Sequence, residues 1–150
     1  MENGDSVLTA QEQRSLRCVA GMMIPSSAAH RVPGADDDVI FADILRSLGM
    51  DAALVRDALA ALDQLAGGVF ADADGARRDS AAAALQRAGG LPLAALTRAV
   101  AQCYYRDDRV MRSIGMEPRP PFPKGHELEP GDWSLLDPVR ARPKFYRPAP

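Results

Sequence analysis

Residues 35–49 read ADDDVIFADILRSLG, and this stretch decides the fold class. Three aspartates open it, placed where the unpaired N–H groups and the positive end of a helix dipole favour anions. Phe41, Ile44, Leu45 and Leu48 then recur at helical spacing as one apolar stripe. Gly49 closes the segment as a residue able to take a left-handed C-terminal cap. The spacing predicts an amphipathic helix of about three turns.

Working outward, the same punctuation repeats. On the N-terminal side, Thr9 and Glu12 have capping-box spacing, and Leu16, Val19, Ala20 and Met23 form an apolar face that Pro25 ends. The segment PSSAAHRVPG, residues 25–34, then reads as a loop with a Pro33-Gly34 turn. On the C-terminal side, Asp51 is positioned to cap a helix carrying Val55, Ala58, Leu59 and Leu62 to a stop at Gly67-Gly68. An alanine-rich helix over roughly 77–88 ends at Gly89-Gly90. Pro92 suits the first turn of the next helix, which carries Leu93, Leu96, Val100 and Tyr104. A short helix over about 107–114 ends at Gly115. No stretch alternates with period two for long enough to predict a strand. The expected fold is all-α, a compact bundle of five to six short helices over residues 1–117.

From Pro118 the texture changes. Residues 118–150 hold nine of the twelve prolines, together with the only tryptophan. Proline at this density prevents a continuous helix and deprives a sheet of donors. Apart from one helical turn at GDWSLLD, residues 131–137, capped by Asp132, the segment is expected to be mostly extended, an arm. At about 3.1 Å per residue such an arm could reach on the order of 100 Å, against a body roughly 35 Å across. Burying its aromatic side chains does not offset the cost of ordering so many residues, so the arm needs contacts along its length, on its own body or in a partner's groove. Arg119, Phe122, Trp133, Arg140, Arg142, Phe145, Tyr146 and Arg147 are of the types enriched at interfaces, and are the expected partner-binding residues.

The bulk numbers narrow the function. The 150 residues are 47% hydrophobic and 25% charged, with net charge −2, an ordinary globular balance with no field advertising nucleic acid or an acidic membrane. The basic aromatic stretch RARPKFYR, residues 140–147, could grip single strands, but the arm's six Lys/Arg against four Asp/Glu suit a mixed-charge protein contact better. No apolar run spans a bilayer. The opening MENGDSVLTAQEQ has neither a basic start nor an apolar core, and Arg77-Arg78 heads no export signal, so the expected location is cytoplasmic.

Candidate chemistry is thin. Asp36, Asp37 and Asp38 read as helix capping rather than a metal cluster. FADADG, residues 70–75, imitates a calcium loop but has Phe70 and Ala81 where the first and twelfth ligands belong. His30 and His126 lack partners at ligand spacing, no serine sits in a nucleophile elbow, and the glycine pairs follow no strand. Cys18 and Cys103 read as buried apolar residues, able to bridge only if their helices pack side by side. No catalytic, cofactor or metal site is expected on this chain, and whether it works inside an enzyme is open at this point.

Two long stretches carry a resemblance. Residues 8–45, LTAQEQRSLRCVAGMMIPSSAAHRVPGADDDVIFADIL, and 104–147, YYRDDRVMRSIGMEPRPPFPKGHELEPGDWSLLDPVRARPKFYR, resemble the two ends of the small (gamma, or subunit 3) chains of gluconate 2-dehydrogenase-type complexes. The shared features are L-T-x-x-E running to an I-P stop, V-P-G-A-D-D, G-x-x-x-R-P-P-F-P-K-G and D-W-S-L-L. The resemblance implies a non-catalytic helical subunit bound to a large FAD-containing dehydrogenase of the glucose–methanol–choline type, which oxidises an alcohol, sugar or sugar acid. Exported members of the family carry a twin-arginine signal on the small subunit. This sequence shows none, so a stabilising or maturation role inside the cell is expected instead of export escort. The alternative is a stand-alone α-helical adaptor whose RPPFP segment, residues 119–123, docks on proline-reading domains.

Overall fold

The computed structural model describes residues 7–120, 125 and 129–144. The chain divides into two units, Met1–Pro118 and Arg119–Pro150. In the first unit six α-helices follow one another: α1 (Ala10–Met23), α2 (Asp38–Ser47), α3 (Ala52–Ala66), α4 (Gly75–Ala88), α5 (Gly90–Tyr105) and α6 (Asp108–Ser113). Among the described residues there is no strand, and the only bridge pairs Ser27 with Val32. The all-α class and the helix count of the body are therefore as the hydrophobic spacing predicts.

Local chemistry sets the helix starts. Thr9 accepts from the Glu12 amide at 3.2 Å while the Glu12 carboxylate accepts from the Thr9 amide at 2.7 Å, a complete capping box. Asp37 caps α2 through the amides of Val39 and Ile40. Asp74 caps α4 through Arg77, so that helix starts at Gly75, two residues before the expected Arg77. Asp107 caps α6 through Arg109. Asp51 departs from the expected pattern. A 3-10 turn at Gly49–Asp51 leads directly into α3 and holds Asp51 in helical geometry, which a capping residue does not adopt. Its carboxylate instead takes both arms of the Arg98 fork from α5, at 3.0 and 2.6 Å.

α3 is the central element, packed against α5 and α4 and touching α1, while α2 lies on α5. Val55, Ala58, Leu59 and Leu62 of α3 are all but inaccessible, and α5 answers with Ala95, Leu96, Ala99 and Val100. The alternation of Ala and Leu or Val on both helices lets the backbones approach closely. Phe70, in a 3-10 turn (Phe70–Asp72) before α4, is fully buried at the side of α1 and α3.

Asp63 near the end of α3 accepts from the Phe70 amide at 2.8 Å, from the Ser15 hydroxyl at 3.5 Å and from Gln11 at 3.2 Å. One carboxylate thus ties α1, α3 and the α3–α4 connection together. The α1–α2 loop is equally constrained. A side chain at Gly34 would meet the Ser26 amide nitrogen at 3.0 Å and collide with the Asp36 carboxylate. On the outer face, the Arg17 guanidinium stacks 4.5 Å over the Phe41 ring and also pairs with Asp38 at 2.8 Å.

In the second unit, a 3-10 turn over Trp133–Leu136 passes into a one-turn helix, α7 (Asp137–Arg140). The helical turn expected for residues 131–137 is present and runs one turn further. The predicted extended course of residues 121–124, 126–128 and 145–150 lies outside the described residues.

Candidate interaction surface

The segment from Asp132 to Arg142 builds its shape from short-range bonds. Asp132 accepts from the Ser134 amide at 3.0 Å and from its hydroxyl at 2.6 Å, and these bonds hold the Asp132 carboxyl below its usual range. Pro138 supplies the fixed φ that favours the first turn of α7. The Ala141 amide donates to Asp137 at 2.9 Å and the Arg142 amide to Val139 at 3.2 Å. Arg140 lies 3.4 Å from Asp137 across one turn.

This fold places apolar side chains outward. Trp133 is 69% exposed, Leu135 74%, Leu136 40% and Val139 57%. In a 3-10 turn residues three apart eclipse one another, so Trp133 and Leu136 stand in one row, which Val139 continues. Leu135 and Val139 are four apart, neighbours on a helical surface. Every described residue from 129 to 144 is exposed. Val39, Met50 and Leu91 on the bundle are exposed as well, but at separated places in the sequence, which is ordinary for a soluble surface. Four large apolar side chains within seven residues are not.

Of the residues expected to bind a partner, Trp133 opens this row, Arg140 lies in α7, and Arg142 follows it, exposed. Arg119 donates to the Gly125 carbonyl at 2.8 Å and is half-buried. Phe122, Phe145, Tyr146 and Arg147 lie outside the described residues. Leu135, Leu136 and Val139 were not singled out by the sequence, though their spacing from Trp133 carried the signal once a helical turn was granted.

The aspartates weighed for chemistry have structural employment, while His126 lies outside the described residues. Asp36 sits against Gly21 and Gly34, Asp37 pairs with Arg109 at 2.7 Å, Asp38 pairs with Arg17, and Asp72 pairs with Arg14 at 3.3 Å. Both cysteines are free thiols. Cys103 is buried as expected, and burial raises its thiol above the usual range. Cys18 is only half-buried and accepts from Arg78 at 3.1 Å. No helix among the described residues is long and apolar enough to cross a membrane. Comparison with protein-family models, with curated proteins and with solved structures gives no match.

Proposed function

We propose that this chain is the non-catalytic small subunit of an FAD-dependent alcohol or sugar oxidoreductase of the glucose–methanol–choline type, acting in the cytoplasm. In this reading residues 118–150 run as an extended strap over the large, FAD-binding subunit and stabilise it or assist its maturation. One observation carries the proposal: Trp133, Leu135, Leu136 and Val139 stand exposed on a turn that local bonds already hold in shape. Such a turn is a pre-ordered anchor, because less rotamer and backbone freedom remains to be lost on docking. The flanking Arg140, Arg142 and Lys144 supply a polar rim. The P-F-P-K-G and D-W-S-L-L stretches in this unit are also those that resemble the small subunits of such complexes.

The test is co-expression with a glucose–methanol–choline flavoprotein encoded beside this chain. The expected product is a yellow complex whose large subunit melts at a higher temperature than when expressed alone, since a ligand bound only by the folded state raises its stability. Trp133→Ala combined with Leu135→Ala should weaken the complex at least about tenfold, as loss of a central aromatic anchor does. A monodisperse chain that leaves the flavoprotein behind, under conditions in which both are soluble, would sink the proposal.

A further inference from the structure

A cationic cavity on the helical bundle takes no part in the proposed strap. The loop between α1 and α2 is closed by paired backbone bonds between Ser27 and Val32, at 3.0 and 3.1 Å. Inside it the Arg31 amide donates to the Ala28 carbonyl at 3.2 Å, and Arg31 takes φ +54. Among the described residues this is the only non-glycine in the left-handed region, a conformation unfavourable for a side chain of this size. Strain of this kind persists where the surroundings over-determine it, and such positions cluster at ligand clamps.

Opposite the loop stands α6. Between them lies a cavity of about 360 Å³ lined by Ala29, His30, Arg31, Arg109, Arg112 and Ser113. Three arginines and a histidine share its wall, and no carboxylate of the described residues lines it. Each guanidinium has five N–H donors. Arg109 commits four of them: Nε and one Nη2 proton to Asp107, the other Nη2 proton and one Nη1 proton to Asp37. It is thereby fixed as a rigid part of the wall with one N–H left. Among the described residues Arg112 commits one donor, to Asp108 at 3.0 Å, and keeps four. The Arg31 guanidinium makes no bond to the described residues and keeps all five. The His30 backbone is held by the Ser27 hydroxyl at 3.3 Å, and its ring is free of the described carboxylates. Ser113 donates its hydroxyl proton to Val110 at 2.9 Å.

We propose that this cavity binds a phosphate group, carried by a small organic phosphate, between the Arg31 and Arg112 forks and over the Arg109 wall. Guanidinium forks match the paired oxygens of phosphate and of carboxylate. A carboxylate is satisfied by one fork. A tetrahedral dianion has oxygens for two forks approaching from different sides, which is what a loop and a helix facing each other provide. The volume lies at the small end of ligand sites, enough for a phosphate with a few carbon atoms. Arg109 is answered by Asp37 and Asp107 and Arg112 by Asp108, so recognition comes from directed N–H groups more than from a net positive field. Modest affinity is therefore expected.

The full chain, labelled with nitrogen-15, is titrated at constant ionic strength with inorganic phosphate and separately with glycerol 3-phosphate. Saturable shifts confined to amides of residues 28–32 and 109–113 are expected, with the ester the tighter of the two. Arg31→Gln and Arg112→Gln should each weaken binding about tenfold, the worth of a charge-assisted hydrogen bond, while Arg87→Gln on the exposed side of α4 leaves it unchanged. Equal affinity for both probes still supports a phosphate site and removes only the organic part of the ligand. Non-saturating shifts, an Arg31→Gln chain that binds like the parent, or an equal loss on Arg87→Gln would overturn the proposal. None of these outcomes depends on a flavoprotein partner.

Discussion

Asp107 is one residue doing two jobs, and pH separates them. Its carboxylate caps α6 through the Arg109 amide and holds the Arg109 guanidinium at 2.9 Å, with only a tenth of the side chain exposed. The Arg109 fork keeps the Asp107 carboxyl below its usual range, outweighing burial, which acts the other way. Asp37 is lowered for the same first reason, and Arg109 is raised in return. A carboxylate with a depressed folded pKa contributes stability that is complete above its unfolded value near 3.9 and is lost as the pH falls through the folded value. Asp107→Asn keeps a good capping side chain and removes the charge. At pH 7 it should melt about 2–5 °C below the parent. The gap should close as the pH drops below 4 towards 2, because the parent's carboxylates are then protonated too. Thermal melts across that range check it, and a gap constant with pH would contradict the ion-pair account.

At the scale of elements, Asp63 is the clamp that makes three segments one core. Asp63→Ala would leave the Phe70 amide without its acceptor and take from buried Ser15 its partner. An orphaned buried donor costs about 1–3 kcal/mol, so a fall of several degrees in Tm is expected, with Asp63→Asn falling less because its carbonyl still accepts. Melts of the two variants give the ordering, and a parent-like Asp63→Ala would refute the clamp. The contrast between Asp63 and Asp37 shows what could be read from sequence and what could not. Caps at Thr9, Asp37 and Asp132 were legible because the acceptor and the amide it serves are two or three residues apart, whereas Asp107, expected as the first residue of its helix, is its cap. Asp51 looked like a cap by the same rule, and it fails because a 3-10 turn and Arg98, 47 residues away, claim it. Asp63 carried no local signal, since its partners are supplied by packing, and only packing brings Arg31 of the loop to the same cavity as Arg112. The candidate surface was half legible. Trp133 and the arginines announced themselves by type, whereas Leu135, Leu136 and Val139 were not singled out until the turn placed them outside.

At the scale of the whole molecule, apolar burial among the described residues lies in one unit. Every described buried side chain lies between Leu8 and Val110, and the described residues 129–144 are all exposed. A chain ending at Pro118 therefore retains the whole described core, and it should fold with the parent's helical circular dichroism and a Tm within about 2 °C, the scale of a surface change. The same truncation should abolish capture of the flavoprotein, because it removes Trp133 and its row. Trp133 is the only tryptophan, which gives a direct reading of the difference. In the free full-length chain its fluorescence should be quenched by acrylamide almost as freely as a small peptide's. In the complex it should be shielded and its emission shifted to shorter wavelength. Truncation that unfolds the bundle would make residues 119–150 part of the fold itself. Tryptophan still open to quencher in a purified complex would place the partner on another face. The combination of an unaffected bundle, lost capture and shielded Trp133 is what separates a strap from a fold element, since a residue that anchors only a partner changes its environment on binding without having contributed to the stability of its own chain.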